Sequence, residues 1–291
     1  MNISIVGPGS IGTLLAFKLS KGGANVELIV KPEQISKINN KLVYTYKQIS
    51  NEIDIKTNTK IQNPDCIVIA LKSYDVTKIL RNIDHLNAPI IFCQNGLGSL
   101  YAAKKLPPNK HTAYLVTGNG LTSKAPARVT HNGSGFTYLG NISEAELDIT
   151  NKIHEFLNNS GMDNEKVPNI TDYIWLKTVI NSAINPIAAH HKINNGELQR
   201  TRFKNLVKEL CKESTKVGTA AGINFPLNPW EETKKIIDKT SQNKCSMLQD
   251  IENNKPTEIN EINGEIIKIA KKYKIKVPLN ELFYNKIIRG D

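Results

Sequence analysis

Short apolar runs alternate with helical patterns through the first half of the chain. "NISIV" (2–6) reads as a buried strand, residues 10–22 as a helix and "NVELIV" (25–30) as a second strand. "DCIVIAL" (65–71) and "PIIFC" (89–93) are continuous apolar runs, the pattern of parallel strands covered on both faces. Helical patterns follow both, at 74–84 and 97–106. Strands that alternate with helices predict a parallel sheet. Segments 111–117, 127–132 and 136–140 read as further strands, and 143–159 as a helix.

From about residue 168 the period changes. Strand-like runs stop, and amphipathic helical patterns cover 170–190, 203–221, 230–241, 246–253 and 258–274. The expected organisation is an α/β domain over 1–167 and an all-α domain over 168–291, with Pro168 near the boundary. The first of these helices contains "WLKTVINSAINP" (175–186), where Lys177, Asn181 and Asn185 recur every fourth residue in an apolar background. Positions i, i+4 and i+8 form one slowly drifting stripe on a helix. Polar groups there need partners or a purpose. The stripe is either internally satisfied in a helix bundle or turned toward chemistry.

Composition narrows the classes. Of 291 residues, 40% are hydrophobic and 22% charged, which suits a globular core. No apolar run approaches the roughly 20 residues of a membrane span, so no membrane partner is expected. The start "MNISIVGPGS" lacks a basic and apolar leader pattern, so no signal peptide is expected and a cytoplasmic location is the default. Cys66, Cys93, Cys211 and Cys245 match no zinc or redox spacing, so no metal and no disulfide are expected. The net charge of +11 invites a nucleic-acid partner, but the lysines are scattered and no nucleic-acid motif is present. A basic surface also suits an anionic substrate and a phosphorylated cofactor.

"GPGSIG" places Gly7, Pro8, Gly9, Ser10, Ile11 and Gly12 directly after the first strand and at a helix start. In that context the pattern is a dinucleotide-binding fingerprint. The first glycine permits the turn, the second admits a pyrophosphate and the third lets helix and strand pack closely. Pro8 removes one amide donor. The second strand ends "LIVKP". An NAD site usually has an acid there, whereas Lys31 suits a 2′-phosphate, so NADPH is the expected cofactor. Lys72 and Asn95 follow two further strands, where ligands of doubly wound sheets bind. Their alternatives are a solvated lysine and an ordinary turn. A lysine such as Lys177 can stabilise the charge that develops on a reduced carbonyl and donate its proton. Ser246 opens a helix, as a carboxylate-binding hydroxyl or as a plain cap. Pro256 and Thr257 start another, which puts Glu258 in its first turn, either complementing the dipole or facing chemistry. Asn195 lies in the loop "NNGEL".

In order and approximate spacing, "GPGSIG", "LKSYDV", "QNGLG", "WLKTVINSAINP", "NNGEL", "CSMLQD" and "TEINEING" resemble the ketopantoate reductase (2-dehydropantoate 2-reductase) family over nearly the whole chain. The resemblance implies an N-terminal Rossmann-type dinucleotide-binding domain and a helical C-terminal domain. It implies NADPH-dependent reduction of the 2-oxo acid 2-dehydropantoate, a step of pantothenate and coenzyme A biosynthesis. Lys177 then matches the catalytic proton donor. Asn181, Asn185 and Asn195 match substrate-binding asparagines, and Ser246 the serine on the substrate carboxylate. Glu258 matches a glutamate linked to cofactor binding and catalysis, and Asn95 and Lys72 match cofactor-contacting positions. Lys31 stands where the family often has arginine, and lysine lacks the bidentate fork. "YLVTGNGLTS" (114–123) departs from the family pattern beside the expected substrate, which leaves room for another 2-oxo acid. Two rivals remain. A β-hydroxyacid dehydrogenase also spaces lysine and asparagine by four, but "CSMLQD" and "TEINEING" argue against it. A non-catalytic NADPH sensor is disfavoured by the presence of both Lys177 and Glu258. The reading leaves the oligomeric state open, a homodimer included.

Overall fold

The computed structural model describes residues 1–142 and 148–290. The chain divides into two compact units, one of Met1–Gln94 with Ser99–Ile170, the other of Asn95–Gly98 with Thr171–Asp291. The first is an α/β Rossmann-type unit and the second is helical.

In the first unit the strands are β1 (Asn2–Val6), β2 (Asn25–Ile29), β3 (Lys41–Tyr46), β4 (Ile49–Asp54), β5 (Lys56–Asn58), β6 (Cys66–Ile69), β7 (Ile90–Phe92), β8 (Thr112–Thr117), β9 (Gly120–Ala125), β10 (Arg128–Gly133), β11 (Thr137–Asn141) and β12 (Glu165–Lys166). The main sheet runs β12-β11-β8-β7-β6-β1-β2-β5. Every pairing in it is parallel except β11 with β8. All of Cys66–Ile69 and Ile90–Phe92 are buried, as their unbroken apolar runs require. The helices are α1 (Ser10–Lys21), α2 (Pro32–Ile38), α3 (Ser73–Ile83), α4 (Gly98–Ala103) and α5 (Asp148–Asn159). The first five residues of the helix expected over 143–159 lie outside the described residues.

A second sheet, β4-β3-β10-β9, was not read from the sequence as such. Its β4 is exposed along nearly its whole length, so it has no apolar alternation to read. The hairpin before it turns through Lys47 and Gln48, both at positive φ, where asparagine and glycine are the usual signal. This sheet packs on α1: Phe17 stacks on Tyr44 with ring centroids 4.4 Å apart. Buried on several sides, α1 is apolar over Leu14–Phe17.

The second unit contains α6 (Ile170–His190), α7 (Thr201–Ala220), α8 (Pro229–Lys239), α9 (Ser246–Glu252), α10 (Glu265–Lys272) and α11 (Pro278–Arg289). A 3₁₀ turn covers Asn195–Gln199 and a π-helical turn Asn260–Gly264. Its core joins Val179, Ile180, Ala183, Ile184 and Ile187 of α6 to Phe203, Val207 and Leu210 of α7 and to Leu248, Ile262 and Phe283. The helix expected over 258–274 is therefore two pieces, and Glu258 precedes the π turn rather than lying in a first α-turn. Among the described residues no helix is long and apolar enough to cross a membrane. The four cysteines are buried thiols, and burial pushes Cys245 up to about 12.

Candidate functional site

The nucleotide end of the first unit begins where β1 enters Gly7, at φ +106°. A Cβ there would lie 2.8 Å from Leu71 Cδ2 and 3.1 Å from the Ala70 carbonyl oxygen. At Gly12 a Cβ would come within 2.0 Å of the Gly7 carbonyl oxygen, so helix and strand meet at glycine distance. The protein itself thus dictates glycine at positions 7 and 12. A Cβ at Gly9 would meet no heavy atom of the described residues within 4 Å. Ser10 and Ile11 follow in the first turn of α1, whose opening N–H groups have no intrahelical acceptors.

Pro8 donates no amide, but its carbonyl is held twice, by Thr13 Oγ1 at 3.1 Å and by the Ala127 N–H at 3.0 Å. Ala127 is buried at φ +56°, and its own carbonyl accepts from Val43 of the second sheet. The second sheet therefore braces the glycine loop. No sequence pattern signals this contact, because it joins a turn to a residue over a hundred positions away.

Lys31 lies just beyond β2, exposed, as the residue before α2, and its N–H donates to Gln34 Oε1 at 3.1 Å. Lys72 is half-buried beyond β6, as the residue before α3. Gln94 shapes that end of the sheet. Its Nε2 donates to the carbonyls of Ile69 at 2.6 Å and Leu71 at 3.2 Å. Gln94 stands within "QNGLG", but its role is visible only in the fold.

The second unit gathers the other candidates around α6. Lys177 and Asn181 are half-buried, and Asn185 is buried. Neighbouring Thr178 and Ser182 turn their hydroxyls onto the carbonyls of Ile174 and Val179, both at 2.8 Å. Internal satisfaction of that kind is what a purely structural polar residue shows. The Asn185 carbonyl accepts from Cys245 Sγ at 3.6 Å, which brings the start of α9 beside the end of the stripe. Cys245, not Ser246, caps α9, its sulfur accepting from the Leu248 N–H at 3.4 Å. Ser246 is exposed, and its hydroxyl is not the cap. Asn195 is buried and reaches the segment before α9: its N–H donates to Asn243 and its Nδ2 to Thr240 Oγ1 at 2.8 Å. Its Oδ1 is buried without a hydrogen-bond partner among the described residues. Glu258 is buried, and Asn95 Nδ2 donates to its Oε2 at 2.9 Å. Among the described residues, no group of three or more His, Cys, Asp or Glu is placed to hold a metal ion.

A Rossmann-type unit with a glycine-dictated loop, joined in one chain to a helical unit with a lysine–asparagine stripe, defines a class of two-unit nucleotide-binding proteins. Residues 3–144 match the family described as Ketopantoate reductase PanE/ApbA, and residues 169–289 match its C-terminal domain family. The chain belongs to the ketopantoate reductase family. A relative from Pyrococcus horikoshii named 2-dehydropantoate 2-reductase is 32% identical over 98% of this chain and 95% of its own. A PanE/ApbA family ketopantoate reductase from Ralstonia eutropha shares the fold at TM-score 0.89 and 20% identity, covering 99% of this chain and 98% of that one. So does a D-mandelate dehydrogenase solved with NADH and anilino(oxo)acetate, at TM-score 0.90 and 24% identity, with the same coverage.

Proposed function

We propose that the protein reduces the C2 ketone of 2-dehydropantoate to the alcohol with NADPH, the reductive step toward pantothenate and coenzyme A. The observation that carries the reading is the α6 stripe: one half-buried lysine in line with two asparagines on a helix otherwise given to core. Relatives named 2-dehydropantoate 2-reductase that span almost the whole chain support it.

The cofactor fits the loop. Among the described residues nothing crowds position 9, and its side-chain position is open beside the start of α1. A pyrophosphate is the group that needs such an approach. Gly7 to Gly12 would hold it, with Lys72 and Asn95 as further contacts and Lys31 facing the 2′-phosphate. The reduced nicotinamide supplies a hydride when bound.

In this reading Lys177 polarises the ketone oxygen and delivers its Nζ proton as negative charge develops there. Ser246 donates its hydroxyl to the substrate carboxylate. Asn181 and Asn185 hold the hydroxyl oxygens, and the buried Oδ1 of Asn195 is an acceptor of the kind a substrate hydroxyl satisfies. Glu258, fixed by Asn95, orients the cofactor ribose or the lysine. The test is a panel of 2-oxo acids with NADPH, including 2-dehydropantoate and an aromatic 2-oxo acid, beside oxidation of 3-hydroxyisobutyrate. Preferred turnover of 2-dehydropantoate supports the proposal. Preference for another acid, or oxidation of 3-hydroxyisobutyrate alone, overturns it.

A further inference from the structure

Two irregular helices in the second unit each leave a backbone carbonyl without its usual donor: the π turn takes up one of them and itself supplies the other, to the Gly96–Leu97 segment. Pro186 lies inside α6 and has no N–H, so the Ser182 carbonyl four residues back loses its helical donor. Asn263 Nδ2 donates to that carbonyl instead, at 3.1 Å, and also to Asn280 Oδ1 at 3.0 Å. Asn263 belongs to the π turn Asn260–Gly264. Within that turn the Gly264 N–H bonds back five residues to Ile259, and the Glu265 N–H bonds to Ile262 rather than to Glu261. The Glu261 carbonyl accepts the Leu97 N–H at 2.9 Å. Gly96, at φ +75°, makes this approach feasible. A Cβ there would stand 2.2 Å from the Glu261 carbonyl oxygen and 2.6 Å from its carbon.

From this geometry we infer that the π turn is a positioning clamp for the Asn95–Glu258 pair. It is anchored on α6 at Ser182, next to Asn181, by Asn263. It grips the Gly96–Leu97 backbone through Glu261. Asn95, one residue before Gly96, then meets Glu258, two residues before the turn, at 2.9 Å. Single π turns recur at functional sites, and this one leads directly into α10. Gly96 and Asn263 are thus positioning residues that act through Asn95 and Glu258. The inference rests on the reading of that pair as cofactor-facing.

The test compares wild type, Gly96→Ala, Asn263→Ala and the double variant Asn263→Ala/Pro186→Ala. NADPH dissociation constants are measured by fluorescence without any 2-oxo acid, with urea midpoints and kcat and KM alongside. Loss of a bond to a charged group predicts NADPH affinity weaker by about tenfold or more in both single variants. Pro186→Ala returns an N–H to the Ser182 carbonyl. The double variant therefore regains most of the stability lost by Asn263→Ala but none of its NADPH affinity. A folded Gly96→Ala with wild-type affinity overturns the clamp. So does a double variant that regains stability and affinity together, and that result decides alone if Gly96→Ala does not fold. A wild type that binds NADPH but leaves 2-dehydropantoate unreduced defeats the functional reading and still reports on the clamp.

Discussion

The proposed preference for NADPH over NADH rests on a single exposed side chain, Lys31. A cation there favours a 2′-phosphate, but a lone ammonium at the surface is screened and has no bidentate geometry. Lys31→Ala should raise KM for NADPH by about three- to tenfold and leave KM for NADH nearly unchanged. Steady-state assays with both cofactors check this, and equal changes for both would remove Lys31 from the phosphate site. Ser246 offers a second residue-scale test. Because Cys245 caps α9, the serine hydroxyl is not needed to hold the helix. Ser246→Ala should therefore raise KM for the 2-oxo acid by about tenfold while the melting temperature stays put. Stability lost with KM unchanged would make it a structural serine. Both positions stand out in the sequence because each sits beside a motif. The cap does not, since a thiol accepting an N–H is outside the usual capping alphabet.

At the scale of elements, long apolar runs are visible in the sequence and long-range fixings are not. The β1–α1–β2 start and α6 were readable because their apolar runs are long and their glycines are spaced by function. The π turn was hidden, since Ile259, Ile262, Ile266 and Ile269 fit an unbroken α-helix. The second sheet was hidden by its polar outer strand. The last helix, α11, was missed because its start is fixed from a distance. Glu213 on α7 accepts the Leu279 and Asn280 N–H groups, each at 3.0 Å, and Asn280 Nδ2 at 2.9 Å. Glu213→Ala leaves those donors without their acceptor at a helix start. It should cost the second unit about 1–3 kcal/mol, read as a lower urea midpoint. An unchanged midpoint would mean that water replaces the carboxylate without loss.

Across the whole molecule, family and fold class were legible from motifs in order, while the braces that hold those motifs are long-range contacts. One such brace responds to pH. His131 is buried in the first unit, where Tyr44 Oη lies 2.7 Å from Nδ1, and Asn119 Oδ1 and the Gly133 carbonyl lie near Nε2. Desolvation holds it below its ordinary value, with Lys18 adding to the effect and the Gly133 carbonyl opposing it. Below about pH 6.5 the unfolded chain takes up a proton that the folded site resists. Stability therefore falls as pH drops from there toward the folded value. Urea melts at about pH 7.5 and 5.5 should show a larger acid loss for wild type than for His131→Gln. Equal losses would place the acid sensitivity elsewhere.

In the proposed function Lys177 supplies the proton in NADPH-dependent reduction of 2-dehydropantoate. The most direct test of that role is kcat for that substrate at saturating NADPH, in wild type and in Lys177→Ala, followed by loss of reduced-nicotinamide absorbance. Wild type should turn over readily, with a fall of at least about a hundredfold in the variant. Turnover by a folded Lys177→Ala close to that of wild type would contradict that role.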